Sequence, residues 1–202
     1  MIKRLRISIA DDDAFVRRYF EETLTDMGHE VVSVAENGRQ LVQQCGEEKP
    51  ELVISDIKMP EMDGIDAAIE ISKQHSVPII LVSAHHDPDM IERVAASRIM
   101  GYLVKPIKRA DLETAIALAW GRFETIEVLQ DEWTRMHEKL KSRQVIEKAK
   151  ALLMESAGLS SEHEALMQME RRASQTKSKL LDVARLILAA ESPRELFENS
   201  DG

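Results

Sequence analysis

Cysteine is all but missing from this 202-residue chain: Cys45 stands alone, which excludes a disulfide framework and a cysteine-based metal site. Its place in an amphipathic stretch marks it as a small core residue and not a reactive thiol. Aromatics make up 4% of the residues, and 8 Gly and 6 Pro leave little material for loop-rich or low-complexity tracts. With 44% apolar residues the composition is that of packed structure, not of disorder. No apolar run approaches the roughly 18 residues of a membrane span. The opening Met1, Ile2, Lys3 and Arg4 lack the apolar core of a signal peptide. The expectation is a soluble, cytoplasmic protein that engages no membrane, and this length favours two domains.

What the chain does have is charge, unevenly spread. The formal net charge is −9. Residues 1–120 hold 14 Lys/Arg against 21 Asp/Glu, whereas residues 135–185 hold 11 Lys/Arg against 7 Asp/Glu. An acidic first half disfavours non-specific nucleic-acid binding by the whole molecule, yet a locally basic module after it is suited to phosphates.

In the first half, short β-rich runs alternate with helical patterns: LRISI from Leu5, VVSV from Val31, LVIS from Leu52, IILV from Ile79 and YLV from Tyr102. Val16, Tyr19, Phe20, Thr23, Leu24 and Met27 give the first helix one apolar face. Alternation of this kind predicts an α/β domain with a five-stranded parallel sheet, doubly wound by helices. Active sites in such sheets lie at the carboxyl ends of the strands. There the sequence places Asp11, Asp12 and Asp13, then Asp56, Ser83 and Lys105 followed by Pro106. Carboxylates converging in one pocket repel unless a cation joins them, and an all-oxygen pocket suits Mg²⁺. Taken alone, the acidic triplet reads better as a solvated loop or helix N-cap, and it is the joint placement of Asp56, Ser83 and Lys105 at three other strand ends that overturns this. His85 and His86 invite a metal reading but lack a third ligand, so a loop bordering the site is the simpler account.

Residues 5 to about 120 resemble the receiver domain of two-component response regulators. The motifs that carry the resemblance are the Asp11 and Asp12 pair, SDIKMPEMDG around Asp56, PIILVSA with Ser83, and GYLVKP with Tyr102, Lys105 and Pro106. The resemblance implies a flavodoxin-like fold, Asp56 as phosphoacceptor, and a sensor histidine kinase as partner. It implies Mg²⁺ held by Asp11, Asp12, Asp56 and the Lys58 backbone carbonyl, with Ser83 and Lys105 stabilising the phosphoryl oxygens. It further implies a cis bond before Pro106 and Tyr102 as the aromatic that shifts on activation. Such a domain is not an enzyme on other molecules; it catalyses only its own aspartyl phosphorylation and dephosphorylation. Arg98 stands where receivers often place a small residue.

From Leu112 the apolar residues recur at Ile116, Ala119, Phe123, Ile126, Trp133 and Leu140, with Gln130 and His137 filling the missing positions. This period of about 3.5 predicts a coiled-coil connector over 112–140 and a homodimer, at least in the phosphorylated state. Leu129 and Met136 lie beside the seam and allow a change of phase there. A helix that folds back on its own sheet is the alternative. No Pro interrupts residues 111–156, so one helix of about 45 residues is expected.

Residues 141–190 read as three amphipathic helices in a small bundle, and 191–202 as a flexible tail. Val145, Ile146, Ala149, Leu152 and Leu153 form one stripe, and Ser161 with Glu164 forms a candidate capping box before the next helix. The motifs SRQVIEKAKALLM, GLSSEHEAL and RRASQTKSKLLDVA resemble the ANTAR domain, an RNA-binding module of transcription antiterminators. That resemblance implies binding to RNA hairpin loops of leader transcripts. Lys177 and Lys179 sit at the start of the third helix, where the dipole disfavours cations and a bound phosphate would reverse the sign. With Arg143, Lys150, Arg171 and Arg172 they are the candidate RNA-binding residues; the plainer reading of each is solvated charge. The function expected is a phosphorylation-controlled regulator acting in antitermination. The alternatives are a helical module that docks another protein, a DNA-binding regulator, and a metal-dependent phosphatase.

Overall fold

A computed structural model describes residues 3–84, 99–190 and 192–198. His85, His86 and Arg98 lie outside the described residues. The chain divides into two compact units, residues 1–128 and 129–202.

In the first unit the strands β1 (Arg6–Ala10), β2 (Glu30–Ala35), β3 (Leu52–Asp56), β4 (Ile79–Ser83) and β5 (Ile99–Val104) pair in parallel in the order β2-β1-β3-β4-β5. This is the doubly wound order of flavodoxin-like sheets, whose switch point lies between β1 and β3. Helices α1 (Ala14–Asp26), α2 (Gly38–Glu48) and α3 (Gly64–Gln74) connect the first four strands, and α4 (Arg109–Ala157) follows β5.

The period of two sends neighbouring strand residues to opposite faces. Val53, Ile79 and Leu81 join Leu41, Cys45, Ile65 and Ile71 beneath α2 and α3. Ile54, Ile80 and Val82 join Phe20, Leu24, Leu112, Ile116 and Ala119 beneath α1 and the start of α4. Near-continuous apolar runs such as IILV are therefore buried on both sides, as a parallel sheet requires. Cys45 is 1% exposed, and burial pushes its thiol up to about 12, which leaves it an inert core residue. Caps set the helix starts: Asp13 accepts from the Phe15 N–H, Asn37 from the Gln40 N–H and Asp63 from the Asp66 N–H.

The single helix α4 runs for 49 residues, and the boundary between the units falls within it. The predicted seam needs correction at its start. Leu112, Ile116 and Ala119 are fully buried against the sheet, so they serve the first unit's core and cannot face a second helix. Leu118 and Val128 are exposed off this line; further along the helix Leu129, Trp133, Met136 and Leu140 are 57, 67, 65 and 56% exposed. With half-buried Ile126 they keep a three-four alternation in a different phase from the first half.

The second unit packs the end of α4 against α5 (Glu162–Thr176) and α6 (Leu180–Ala189). Ala149, Leu153, Ala165, Met169, Ala173, Val183, Ala184 and Ile187 are its core. Gly158, at φ +64°, ends α4 in the left-handed conformation that side chains resist. Ser161 Oγ accepts from the Glu164 N–H, while the Glu164 carboxylate reaches one residue further back, to the Ser160 N–H. The predicted flexible tail is corrected in part: Leu196 and Phe197 of the short helix α7 (Glu195–Glu198) pack on this core, and Pro193 is buried. Their apolar surface gives residues 192–197 a reason to fold that charge and length alone conceal. Among the described residues no helix is long and apolar enough to cross a membrane.

Candidate functional site

The carboxyl ends of β1, β3, β4 and β5 bring Asp11, Asp56, Ser83 and Lys105 to one edge of the sheet. Asp11 and Asp56 are 0 and 4% exposed, so each carboxylate has lost most of its water. Their partner is the Lys105 ammonium, with Nζ 2.7 Å from Asp11 Oδ2 and 2.6 Å from Asp56 Oδ1. The remaining oxygens accept backbone donors: Asp11 Oδ1 from the Asp13 N–H at 3.0 Å and Asp56 Oδ2 from the Lys58 N–H at 2.7 Å. Burial holds the Asp11 carboxyl above its ordinary range even though Lys105 and the Asp13 N–H pull it down. Burial acts to lower Lys105, but its hydrogen bonds to Asp11 and Asp56 outweigh that and raise it.

Lys105 owes its position to the backbone as well. Its N–H donates to the Ser83 carbonyl at 2.8 Å, and the Lys105–Pro106 peptide is cis. Ser83 is buried beside it, 4% exposed. Asp12 is exposed at the rim, and Tyr102, on β5, is 38% exposed.

One contributor escaped the sequence reading. Arg17 donates through Nη1 to the carbonyls of Asp11 and Asp12, at 2.8 and 3.0 Å, and through Nη2 to Glu36 Oε1 at 2.7 Å. It clamps the acidic loop onto the first turn of α1; an arginine one turn beyond an acidic N-cap is the signal that would have found it. A Cβ at Gly64 would run into the carbonyl oxygen of Asp56, so only glycine lets α3 start so close to the phosphoacceptor candidate. The Gly64 N–H donates to the Ile57 carbonyl at 2.8 Å and fixes the turn.

Whether these residues suit Mg²⁺ is decided by their donors. Two buried carboxylates against one ammonium, with Asp12 alongside, leave surplus negative charge carried on hard oxygens. Among the described residues no three acidic, histidine or cysteine side chains gather as a cage. A cation here would keep much of its coordination to water, which is the habit of Mg²⁺. The residues fit.

In the second unit the candidate RNA-binding residues separate. Lys150 is corrected: it is 8% exposed, and its ammonium sits 2.7 Å from Glu147 and 3.1 Å from Glu162, tying α4 to α5. The hydrogen bonds it donates to Glu147, the larger cause, and to Glu162 raise its pKa. It spends its charge internally and does not face a ligand. Arg143 is exposed on α4, while Arg171 and half-buried Arg172 lie on α5. Lys177 ends α5 at φ +51°, and Lys179 is the N-cap of α6. The Lys179 N–H faces Asp182 Oδ2 at 3.4 Å, so a carboxylate already meets the α6 dipole and the argument for a phosphate there loses its force.

Comparison with known proteins agrees with this division. Residues 7–117 match the family model of the response regulator receiver domain, and residues 134–188 match that of the ANTAR domain. Transcriptional regulatory protein PdtaR of Mycobacterium tuberculosis is 38% identical over 183 residues, covering 91% of this chain and 89% of that protein. Chemotaxis protein CheY of Bacillus subtilis is 41% identical over 104 residues, 51% of this chain and 87% of its own length. Among solved structures, Vibrio cholerae CheY4 superposes with a TM-score of 0.55 at 25% identity, covering 58% of this chain and 99% of its own. The CheY chain of a Borrelia burgdorferi complex with CheX, BeF3 and Mg²⁺ does so at 0.52 and 24% identity, covering 55% of this chain and 85% of its own.

Proposed function

Because this chain belongs to the response regulators that join a receiver domain to an ANTAR domain, we propose that phosphorylation of Asp56 by a sensor histidine kinase controls RNA binding by the C-terminal helices, and so transcription antitermination. The observation that carries the reading is the buried Asp11 and Asp56 pair gathered on one ammonium, Lys105.

In this reading an Asp56 carboxylate oxygen attacks the phosphorus of the kinase's phosphohistidine. An O–P bond forms, the P–N bond breaks, and the imidazole leaves with its electron pair. Lys105 already touches Asp56 Oδ1, so its ammonium is in reach of the charge that the phosphoryl group adds. The Ser83 hydroxyl and the Lys58 N–H are the further donors at the site. Asp11, Asp12, Asp56 and the Lys58 carbonyl would hold Mg²⁺, which supplies positive charge against the phosphoryl oxygens. Tyr102 is the aromatic that follows Ser83 on activation. The chain's own chemistry ends with hydrolysis of the aspartyl phosphate, without turnover of other substrates.

Output runs through α4. Ile126, Leu129, Trp133, Met136 and Leu140 form the dimer seam, which pairs two C-terminal modules and raises their effective concentration on paired RNA hairpins. Arg143, Arg171, Arg172, Lys177 and Lys179 remain candidate phosphate contacts.

Phosphotransfer tests the first half. Incubation with a small phosphoryl donor and Mg²⁺ should label the protein once per chain, and Asp56→Asn should take up nothing. Equal labelling of that variant would place the phosphoryl group elsewhere.

A further inference from the structure

The C-terminal unit has a cleft of about 490 Å³ between α4 and α6, lined in part by Lys141, Gln144, Val145 and Lys148 from α4 and by Leu181 and Arg185 from α6. None of the six RNA-binding candidates drawn from the sequence lines it. Lys141, Gln144 and Lys148 fall at i, i+3 and i+7, one face of the helix, and Leu181 and Arg185 fall at i and i+4. Val145 and Leu181 are half-buried and give the cleft an apolar floor, while Lys141, Lys148 and Arg185 are exposed around it.

The cleft is positively charged. Lys141 and Lys148 line it from α4 and Arg185 from α6, and the one carboxylate among its lining residues is Glu138. Asp182 stands near Arg185 at 3.7 Å, too far for a tight bidentate pair, and the guanidinium stays 66% exposed. Like charges held on two helices around a shared concavity cost stability that an anion between them would relieve. Lys150 shows the opposite arrangement one turn away, where two carboxylates satisfy a single ammonium.

We propose that this cleft takes a segment of single-stranded RNA, with phosphates on Lys148, Arg185 and Lys141 and a base over the floor formed by Val145 and Leu181. The proposal rests on the RNA-binding reading of the C-terminal module and names where the strand lies. Its size falls within the range of about 300–1,000 Å³ that small ligands occupy. An apolar floor between cations is what an unstacked base needs and what a duplex, with its bases enclosed, cannot use. Gln144, with both a donor and an acceptor, is placed to read a base edge.

The test uses the full-length protein with beryllium fluoride and Mg²⁺, a labelled pool of RNA hairpins with randomised loops, and fluorescence anisotropy over a salt series. The double variant K148Q/R185Q should bind about tenfold more weakly or worse, and its salt dependence should flatten by about one to two contacts. K148R/R185K keeps both charges and should bind within a few fold of the unmodified protein, and matching circular dichroism melts would show that all three proteins fold alike. Unmodified protein that binds the pool while K148Q/R185Q binds it equally well, with the same salt slope, overturns the cleft and leaves the RNA reading standing. Competition by duplex RNA as strong as by the hairpin pool overturns the single-strand assignment. Unmodified protein that binds no RNA in any state overturns the RNA reading itself, and the cleft with it.

Discussion

The Lys105 ammonium lies 2.6 Å from Asp56 Oδ1 and so meets the carboxylate proposed to receive the phosphoryl group before any phosphate arrives. One cation serves two buried carboxylates, because the same nitrogen is 2.7 Å from Asp11 Oδ2. Lys105→Met should therefore leave two adjacent buried carboxylates without their shared cation. Breaking a buried pair costs on the order of 3–5 kcal/mol, and the Lys105 side chain is 25% exposed, so solvent screening reduces this to about 1–3 kcal/mol. Thermal melts in a chelator should show the loss, and added Mg²⁺ should restore part of it. An unchanged melt in the chelator would contradict the pairing.

The same pairing has a pH signature. Lys105 has its folded pKa raised above the ordinary 10.5, so the folded chain binds the proton more tightly than the unfolded chain does. Its contribution is fully present below 10.5 and is lost as pH rises through the folded value. Alkaline melts should fall over that window and do so less in Lys105→Met.

His29 acts at the other end of the scale. It is 5% exposed, its Nδ1 accepts the Leu5 N–H at 3.2 Å, and burial holds its pKa below the ordinary 6.5. Protonation would turn that acceptor into a donor facing a donor. The unfolded chain binds the proton first, so stability is present above 6.5 and falls as pH drops toward the folded value. The loss should be about 1–3 kcal/mol, read from urea unfolding between neutral and mildly acidic pH. An acid limb equally steep in His29→Asn would assign it to other groups.

Two glycines should respond in opposite ways. Gly64→Ala drives a methyl group into the Asp56 carbonyl and the Ser55 hydroxyl, so the turn must shift. A loss above about 3 kcal/mol is expected, as for other severe core disruptions. Gly121 lies inside α4 with nothing within 4 Å of a Cβ, and Gly121→Ala should stabilise by about 0.5–1 kcal/mol. Melts of both variants check the contrast, and a tolerated Gly64→Ala would show that the turn can yield.

Much of this was legible in the sequence because its signals are local or periodic. Runs of apolar residues such as Leu52 to Ser55 declare buried parallel strands, and strand ends declare the site. The connector was misread where two patterns share one period: Leu112, Ile116 and Ala119 fit a heptad but answer to the sheet. Lys150 was misread for a related reason, since a cation on a helix face looks solvated until the partner element brings Glu162 to it. The link from Arg17 to Glu36 and the cleft beside Arg185 were invisible because each depends on residues far apart in sequence meeting in space.

The uncovered stripe on α4 makes a further claim. Trp133→Glu with Leu140→Glu should shift the phosphorylated protein from dimer to monomer in sedimentation velocity. Dimers that persist in the double variant would move the interface elsewhere.

The most direct test of the whole account compares RNA binding in three states: unmodified protein, protein with beryllium fluoride and Mg²⁺ as phosphoryl mimic, and Asp56→Ala under the same treatment. A filter assay with the pool of randomised-loop hairpins should show tight, salt-sensitive binding in the mimic state and at least tenfold weaker binding in the other two. Equal binding in all three states, or none in any, would contradict it.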